Sequence, residues 1–586
     1  QVGQALEYTG RLDIDRAVAE SAMRTADGPV SWTAFVHKTR NVLCLRTAGA
    51  PANSEWALQS LAEVCPEMAK LNHPEPLRRR EGDMRMFIQA IPGGACYAVA
   101  WSARGPDFFL AVECAADVEA AERKAAATWK AAAQAGFDLL RAEHERGWRE
   151  FWAASAVYLP EPVMEFMWYY GIYLLGSSAR QGAMPPGLQG LWAMDGVMPP
   201  WSGDYHLDMN VQETFWPAYA SGHLDLADCW CDHMAACVPA AREFTRTLFG
   251  TEGAFWPCAI MGKYTLPPGE WYGDWYSLVV SWSHTGWLAW MVWLRWRYSL
   301  DREWLAGTGY PLMSEMFKFY RDNLVGESDG RLHVPLSTSP EYHAHCARES
   351  FCKDPNVDLA LIRRCCDWLM EMEEALGADA LTPAAKEIKA RLVPYALTEK
   401  QELCLWPGKT LDETHRHPSQ LMAVHPAMDL TIEGDERERA IIDASVRQYL
   451  ALGQHEWAGH TYAQLISMAA VLGRAGWAYD SLDQFVRHWT MPNGLYCNSD
   501  LSRSGMSEHA SALGRLKAPF TMESNCGVSA GICDMLVQGW GDTLRIFPAL
   551  PGHWLDAAFR DLLTEGAFKV SAARRQGRTV WVRVTA

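Results

Sequence analysis

Between residues 160 and about 540, roughly a dozen apolar runs recur at helical spacing, separated by loops rich in glycine and proline. Examples are 163–180, 224–247, 282–299, 304–324, 358–376, 436–452, 463–472 and 527–538. Strand and helix signals do not alternate here, which argues against a parallel sheet. So many helices in one unit predict a toroid of helical hairpins, an (α/α)6 barrel, with function carried by the loops at one end. The flanks read differently. Residues 1–117 hold short alternating runs at 34–37, 41–45, 84–88 and 97–101, the pattern of an antiparallel β-sandwich. Residues 116–135 are dense in Ala, Glu and Lys and 137–154 continue with apolar residues at helical spacing, so 118–159 predict a helical linker. Residues 541–586 return to β, with a hairpin from 568–572 to 579–584 turning at Gln576-Gly577. The expected class is a multidomain α+β chain: sandwich (1–117), linker (118–159), barrel (160–540) and a small C-terminal β domain (541–586). At 586 residues, more than one core is required.

The net charge of −17 argues against a nucleic-acid or anionic-membrane partner. No run of about 20 apolar residues is present to span a bilayer. The 16 cysteines are scattered through apolar segments without the spacing of a disulfide framework, which favours a reducing, cytoplasmic compartment. The chain begins at Gln1, with neither Met nor a signal-like stretch, and reads as a fragment or as trimmed, which leaves a targeting segment open. Cys229, Cys231, His233 and Cys237 lie close together, but not in the paired form of a structural zinc site, and their run is helical in period. Buried free thiols are expected there and at Cys365-Cys366. No metal and no cofactor is expected, and homo-oligomerisation is left open.

Four stretches carry chemistry. In the first, 186–217, Tyr205 to Gln212 alternates: His206, Asp208, Asn210 and Gln212 point one way, Leu207, Met209 and Val211 the other. That is the period of an extended segment with one polar face. Trp192, Trp201, Phe215 and Trp216 flank it, so hydrogen-bonding groups stand among flat rings, a combination suited to a sugar. A half-buried strand with a solvated face is the plainer account. Trp192, Trp201 and Trp271, beside Gly and Pro, are candidate sugar platforms. The second stretch is Ser337-Thr338-Ser339-Pro340-Glu341, whose restricted backbone can hold Glu341 as a general acid; otherwise it is a loop carboxylate. His343, His345 and Cys346 follow without metal spacing. The third, His415-Arg416-His417-Pro418-Ser419-Gln420, offers fixed donors to hydroxyls or a carboxylate, or opens a helix with solvated charges. The fourth, Glu523-Ser524-Asn525-Cys526-Gly527, leads into an apolar helix. There Glu523 is either a second catalytic carboxyl or a surface acid that complements the helix dipole.

In this order the stretches resemble the family 95 glycoside hydrolases, the inverting α-L-fucosidases and their α-L-galactosidase relatives. The likeness rests on Leu-Gln-Gly-Leu-Trp at 188–192, Pro-Pro-Trp at 199–201, the run at 204–210, Phe-Trp-Pro at 215–217, Ser-Pro-Glu at 339–341, His-Arg-His-Pro-Ser at 415–419 and Glu-Ser-Asn-Cys-Gly at 523–527. The resemblance implies that Glu341 protonates the leaving oxygen. It also implies that the attacking water is held at Asn210 with help from the carboxyl at 523. Asp208 stands where the family has Asn, Glu523 where it has Asp, Gln420 where it usually has His, and Phe215 where it has Tyr. Because an amide is a poor base, Asp208 is expected to be the base with Glu523 its assistant. Trp192, Trp201, His206, Gln212, Arg416, His417 and Asn525 are expected to bind substrate.

The resemblance implies an exo-acting inverting glycosidase for a terminal α-linked L-fucose- or L-galactose-like sugar, with a carbohydrate as its partner. The alternatives are a glycosidase or phosphorylase of a related toroid family acting on another sugar, and a catalytically silent carbohydrate-binding homologue. Asp208 and Glu523 would repel phosphate, which counts against a phosphorylase. If Glu341 is the general acid, Glu341→Gln abolishes hydrolysis of glycosides with poor leaving groups and spares activated glycosyl fluorides, whose departure needs little protonation. Equal losses on both substrate types remove it from that role.

Overall fold

The computed structural model describes every residue except 1–4, 27, 51–55, 66–71, 93, 193–197, 266–278, 346, 503 and 508–519. The chain forms two compact units, Gln1–Ala154 with Ala193–Pro199, and Ser155–Trp192 with Pro200–Ala586. Trp271 and Cys346 lie outside the described residues.

In the first unit eight strands form one antiparallel sheet: β1 (Ala5–Asp13), β2 (Val18–Thr25), β3 (Gly28–Val36), β4 (Val42–Ala48), β5 (Leu77–Glu81), β6 (Met84–Ile91), β7 (Ala95–Arg104) and β8 (Asp107–Ala115). Their order is β1-β2-β3-β4-β8-β7-β6-β5. The period of two separates its faces. Met84, Met86 and Ile88 join Ala98 and Ala100 on one side, while Phe87, Val99, Trp101 and Phe108 cluster on the other. The first face is closed by helix Val118–Ala135, which contributes Ala121, Ala125, Trp129 and Ala132. Asp117 caps this helix by accepting from the Ala120 amide at 2.7 Å. Small alanines let the helix lie close on the pleat. Helices Val118–Ala135 and Phe137–Trp152, within the expected linker, lie in the same compact unit as the sheet.

The second unit is the helical toroid. The sequence periodicity matches Pro162–Ser178, Leu224–Phe249, Ser283–Arg297, Tyr310–Asn323, Asn356–Leu376, Glu436–Ala451, Gly459–Val471 and Glu523–Leu536. Helix Glu523–Leu536 packs on Pro162–Ser178, Asn210–Ala220 and Gly459–Val471. Helix Ser283–Arg297 packs on Asn210–Ala220, Tyr310–Asn323 and Asn356–Leu376. Among the described residues no helix is long and apolar enough to cross a membrane. The described cysteines are free thiols; Cys229, Cys231 and Cys237 are buried in helix Leu224–Phe249, where the Cys237 sulfur lies 3.7 Å from His233 Nε2.

One sequence expectation is overturned. The alternation from 205 to 212 is a strand only at Tyr205–His206, paired with Ala259–Ile260, and helix Asn210–Ala220 begins inside the run. Every residue from Val211 to Tyr219 is buried, so this helix has no polar face to produce a 3.6-residue signal. Pro217 within it also imitates a terminus.

At the C-terminus Ala557–Thr564, Phe568–Arg575 and Arg578–Thr585 form an antiparallel sheet that takes Ala156–Tyr158 as its fourth strand. The Gln576-Gly577 turn has positive φ at both positions, 49° and 77°, as a two-residue hairpin of the strands' twist requires. Strand Arg545–Ile546 pairs with Val537–Gln538 at the end of helix Glu523–Leu536.

Helices Leu224–Phe249 and Ser283–Arg297 are tied by a buried ion pair, Arg295 Nε to Asp228 Oδ1 at 2.6 Å and Nη2 to Oδ2 at 3.1 Å. Asp228→Ala leaves the guanidinium buried and uncompensated. The expected loss is about 3–5 kcal/mol in the urea transition of the helical unit, while Asp228→Leu with Arg295→Met recovers most of it. A loss under 1 kcal/mol for Asp228→Ala, about that of an exposed pair, contradicts this assignment.

Candidate active site

Four helices deliver their first residues to one place. Asn210 and Glu523 each open their helix; His284 and His460 each stand second in theirs. Asn210 donates to the Glu523 carboxylate, which also accepts from Thr521 Oγ1 at 2.9 Å. The first and fourth stretches meet through the Met522 amide, which donates to the Leu188 carbonyl at 2.9 Å. A side chain at Gly190, φ 62°, would strike the Trp192 ring and the Met522 sulfur, so glycine is required for that approach. Trp192 stands edge-on to Phe520 at 6.3 Å.

Glu341 comes from a short hairpin. Ser337–Thr338 pairs with Phe351–Cys352, and Ser337 Oγ accepts from the Trp282 amide at 3.1 Å at the head of helix Ser283–Arg297. Glu341 itself adopts φ 52°, a left-handed conformation costly for a residue with a side chain. Trp201 and Ser202 share that strain at φ 53° and 56°, and the Trp201 ring lies edge-on to His206 at 6.4 Å. The second and third stretches are joined by Ser339 Oγ and Ser419 Oγ, 2.7 Å apart. The Glu341 carboxylate pairs with the Arg416 guanidinium and lies 2.8 Å from His417 Nε2.

Asp208, Glu341 and His417 bring one oxygen or nitrogen atom each within 4.8 Å of one another. These donors have the composition of a cation site, yet Arg416 already holds Glu341 and its charge opposes a metal there. Burial raises the Asp208 pKa above its ordinary value, Glu341 adds to this, and His417 and His206 oppose it. Burial lowers the His206 pKa, but Asp204 Oδ1 at 2.6 Å, with Asp208 and Glu341, more than reverses this and holds His206 at about 9. The imidazolium is therefore the countercharge of the cluster near neutral pH. Burial pushes Glu523 up to about 7, against hydrogen bonds from its own backbone, Thr521 and Asn210 and the charge of His206.

Thus Glu341, Asp208, Asn210, His206, His417, Arg416 and Glu523 converge, with Trp192 and Trp201 beside them. Gln212 and Asn525 do not offer themselves to a ligand in the same way. Gln212 is wholly buried and its amide donates to the Leu207 carbonyl at 2.6 Å. Asn525 is wholly buried, accepting from the Tyr496 amide at 2.7 Å and donating to the Gly494 carbonyl at 3.0 Å. Both brace backbone behind the site. Sequence reasoning missed Glu213, His284 and Cys258. Glu213 is fully buried, its pKa raised by burial and by the Glu523 charge. His284 is buried and lowered to about 3 by desolvation and by His206 and His417. The Cys258 thiol lies against Asp208. None carries a local signal; each is reached only by folding.

Since Glu341 helps to raise Asp208, Glu341→Gln is expected to lower the Asp208 pKa. The pH dependence of the carboxyl C=O infrared band, assigned with Asp208→Asn, measures it. An unchanged titration removes the coupling.

The matches to known proteins agree with this geometry. The model of the "Glycosyl hydrolase family 95 catalytic domain" matches residues 140–536. Arabidopsis thaliana "Alpha-L-fucosidase 2" is 27% identical over 433 residues, covering 71% of this chain and 49% of its own length. "Probable alpha-fucosidase A" of Aspergillus niger is 25% identical over 440 residues, covering 70% of this chain and 52% of its own. The chain thus spans about half the length of these curated relatives. In fold it resembles a human-microbiome protein named for kojibiose phosphorylase (TM-score 0.74, 10% identity, 99% of this chain and 83% of that one). It also resembles a bacterial glucoamylase solved with acarbose (TM-score 0.51, 9% identity, 90% and 85%). With a family match that covers residues 140–536, more than half of its length, the chain belongs to glycoside hydrolase family 95.

Proposed function

We propose that the protein is an exo-acting inverting glycoside hydrolase that releases a terminal α-linked L-fucose- or L-galactose-like sugar. The observation that carries this reading is the meeting of Glu341 with Asp208, His206 and His417 beside the Asn210–Glu523 pair. The names of the plant and fungal relatives support L-fucose as the sugar. The half-open Trp192 and Trp201 rings supply apolar faces for it.

In the proposed reaction a water attacks the anomeric carbon from the side opposite the leaving group. A carboxylate takes the water's proton, Glu341 gives its proton to the glycosidic oxygen, and the carbon–oxygen bond breaks with inversion. Inversion wants the acid and base carboxyls about 6.5–9.5 Å apart, with the water between them. Asp208 and Glu341 approach within 4.8 Å, which leaves little room. The spacing therefore counts against Asp208 as base, and the role passes to Glu523, aided by Asn210. Asp208 becomes a group that binds a sugar hydroxyl and shares the charge of His206. This reverses the order expected from the substitution at 208 alone.

The test is hydrolysis of aryl α-L-fucoside, with and without phosphate, following by NMR which anomer appears first. Glu523→Gln is expected to lower kcat by about 10²–10⁴-fold, the share of general base catalysis. Asp208→Asn should act mainly on KM. Because the base must be ionised, kcat/KM should fall as pH drops through about 7, the value to which burial raises Glu523. A larger kcat loss for Asp208→Asn reinstates Asp208 as base, and a phosphate requirement replaces hydrolysis by phosphorolysis.

A further inference from the structure

The helices that open at the acidic cluster end at a second cavity. Tyr219, Arg297, Val471 and Asp534 stand at or near the C-terminal ends of Asn210–Ala220, Ser283–Arg297, Gly459–Val471 and Glu523–Leu536, and all line it. From Asn210 to Tyr219 and from Glu523 to Asp534 the rise of an α-helix separates the two places by about 14–17 Å. The cavity volume is about 530 Å³, within the range of small-molecule sites, about 300–1,000 Å³.

Its chemistry is neither purely apolar nor strongly charged. Trp216, Trp290 and Trp293 supply flat walls. Trp216 is 5% exposed and its indole N–H has no hydrogen-bond partner. Arg297 bonds Glu371 through Nη1 at 2.7 Å, while its Nε makes no hydrogen bond and lies 3.7 Å from Glu565 Oε2. Burial raises both Asp534 and Glu565 to about 7, so near neutral pH each is in part a donor and in part an acceptor. At the rim, Glu433 pairs with Arg545, which stacks 3.5 Å over the Trp540 ring.

Anions fit poorly, since the helices present their negative ends and acids outnumber the two arginines, Arg297 and Arg364. Cations fit poorly too, because Glu371 and Glu433 are spent on Arg297 and Arg545, burial leaves Asp534 and Glu565 half neutral, and Asp542 is exposed and screened by solvent. A roomy cavity walled by indole rings, with carboxyls that can both donate and accept, suits a neutral polyol. We propose that this cavity is a second saccharide-binding site, separate from the acidic cluster and without catalytic residues of its own.

The test is calorimetric titration of the full chain with L-fucose, D-galactose, D-glucose and lactose, together with Trp540→Ala and Trp290→Phe. At least one sugar should bind in a manner weakened about tenfold by each variant, the effect of losing or shrinking one stacking ring. The kcat/KM on an aryl glycoside and the melting temperature should stay unchanged. The site is overturned if no sugar binds, if binding ignores both variants, or if inorganic phosphate or tetramethylammonium displaces the Trp540-dependent signal. Absence of hydrolysis alongside Trp540-dependent binding would reject the proposed activity and leave this site standing.

Discussion

Burying several carboxyl groups together is the physical demand around which the toroid is arranged. Asp208, Glu213 and Glu523 are each about 1% exposed or less, while the Glu341 side chain, beside Asp208, is 13% exposed. Such a group is costly to ionise away from water unless a countercharge or donors are fixed beside it. His206, held by Asp204, supplies one countercharge, and Arg416 supplies another directly to Glu341. Thr521 and Asn210 supply donors to Glu523. Burial accordingly raises the proton affinity of Asp208, Glu213 and Glu523 alike, which suits groups that must hold or take a proton near neutral pH.

Helix ends are the means by which this is built. Asn210, His284, His460 and Glu523 all lie in the first turn of their helices, where backbone N–H groups and the positive end of the dipole favour acids. The strained backbone at Glu341 and Trp201 lies in the loops beside those ends. The opposite ends of the same helices carry carboxyls too, but set among arginines and indole rings. They enclose a cavity of carboxyls, two arginines and indole rings, so one set of helices presents two chemically different surfaces.

Much of this was legible before folding, and the limits have physical causes. Helix Glu436–Ala451 begins within a residue of its expectation because Asp435 caps it and polar residues face water. Helix Asn210–Ala220 was invisible because it is buried all round, so its sequence has no amphipathic period. The backbone bonds of Gln212 and Asn525 were not legible in sequence for a related reason. A polar side chain beside a motif looks the same in sequence whether it reaches a ligand or braces a neighbouring backbone group, as these two do.

The sequence by itself determined the helical character of residues 160–540, the β character of both flanks, and four stretches whose residue types point to glycoside chemistry. These are local properties, set by periodicity, capping and the choice of side chains. Only the tertiary structure decided that Glu341 and Asp208 come within 4.8 Å of each other, that Glu523 bonds Asn210, and that Glu213 and His284 belong to the same neighbourhood. Those separations depend on how helices distant in sequence align their first turns, and no single stretch of chain encodes that alignment.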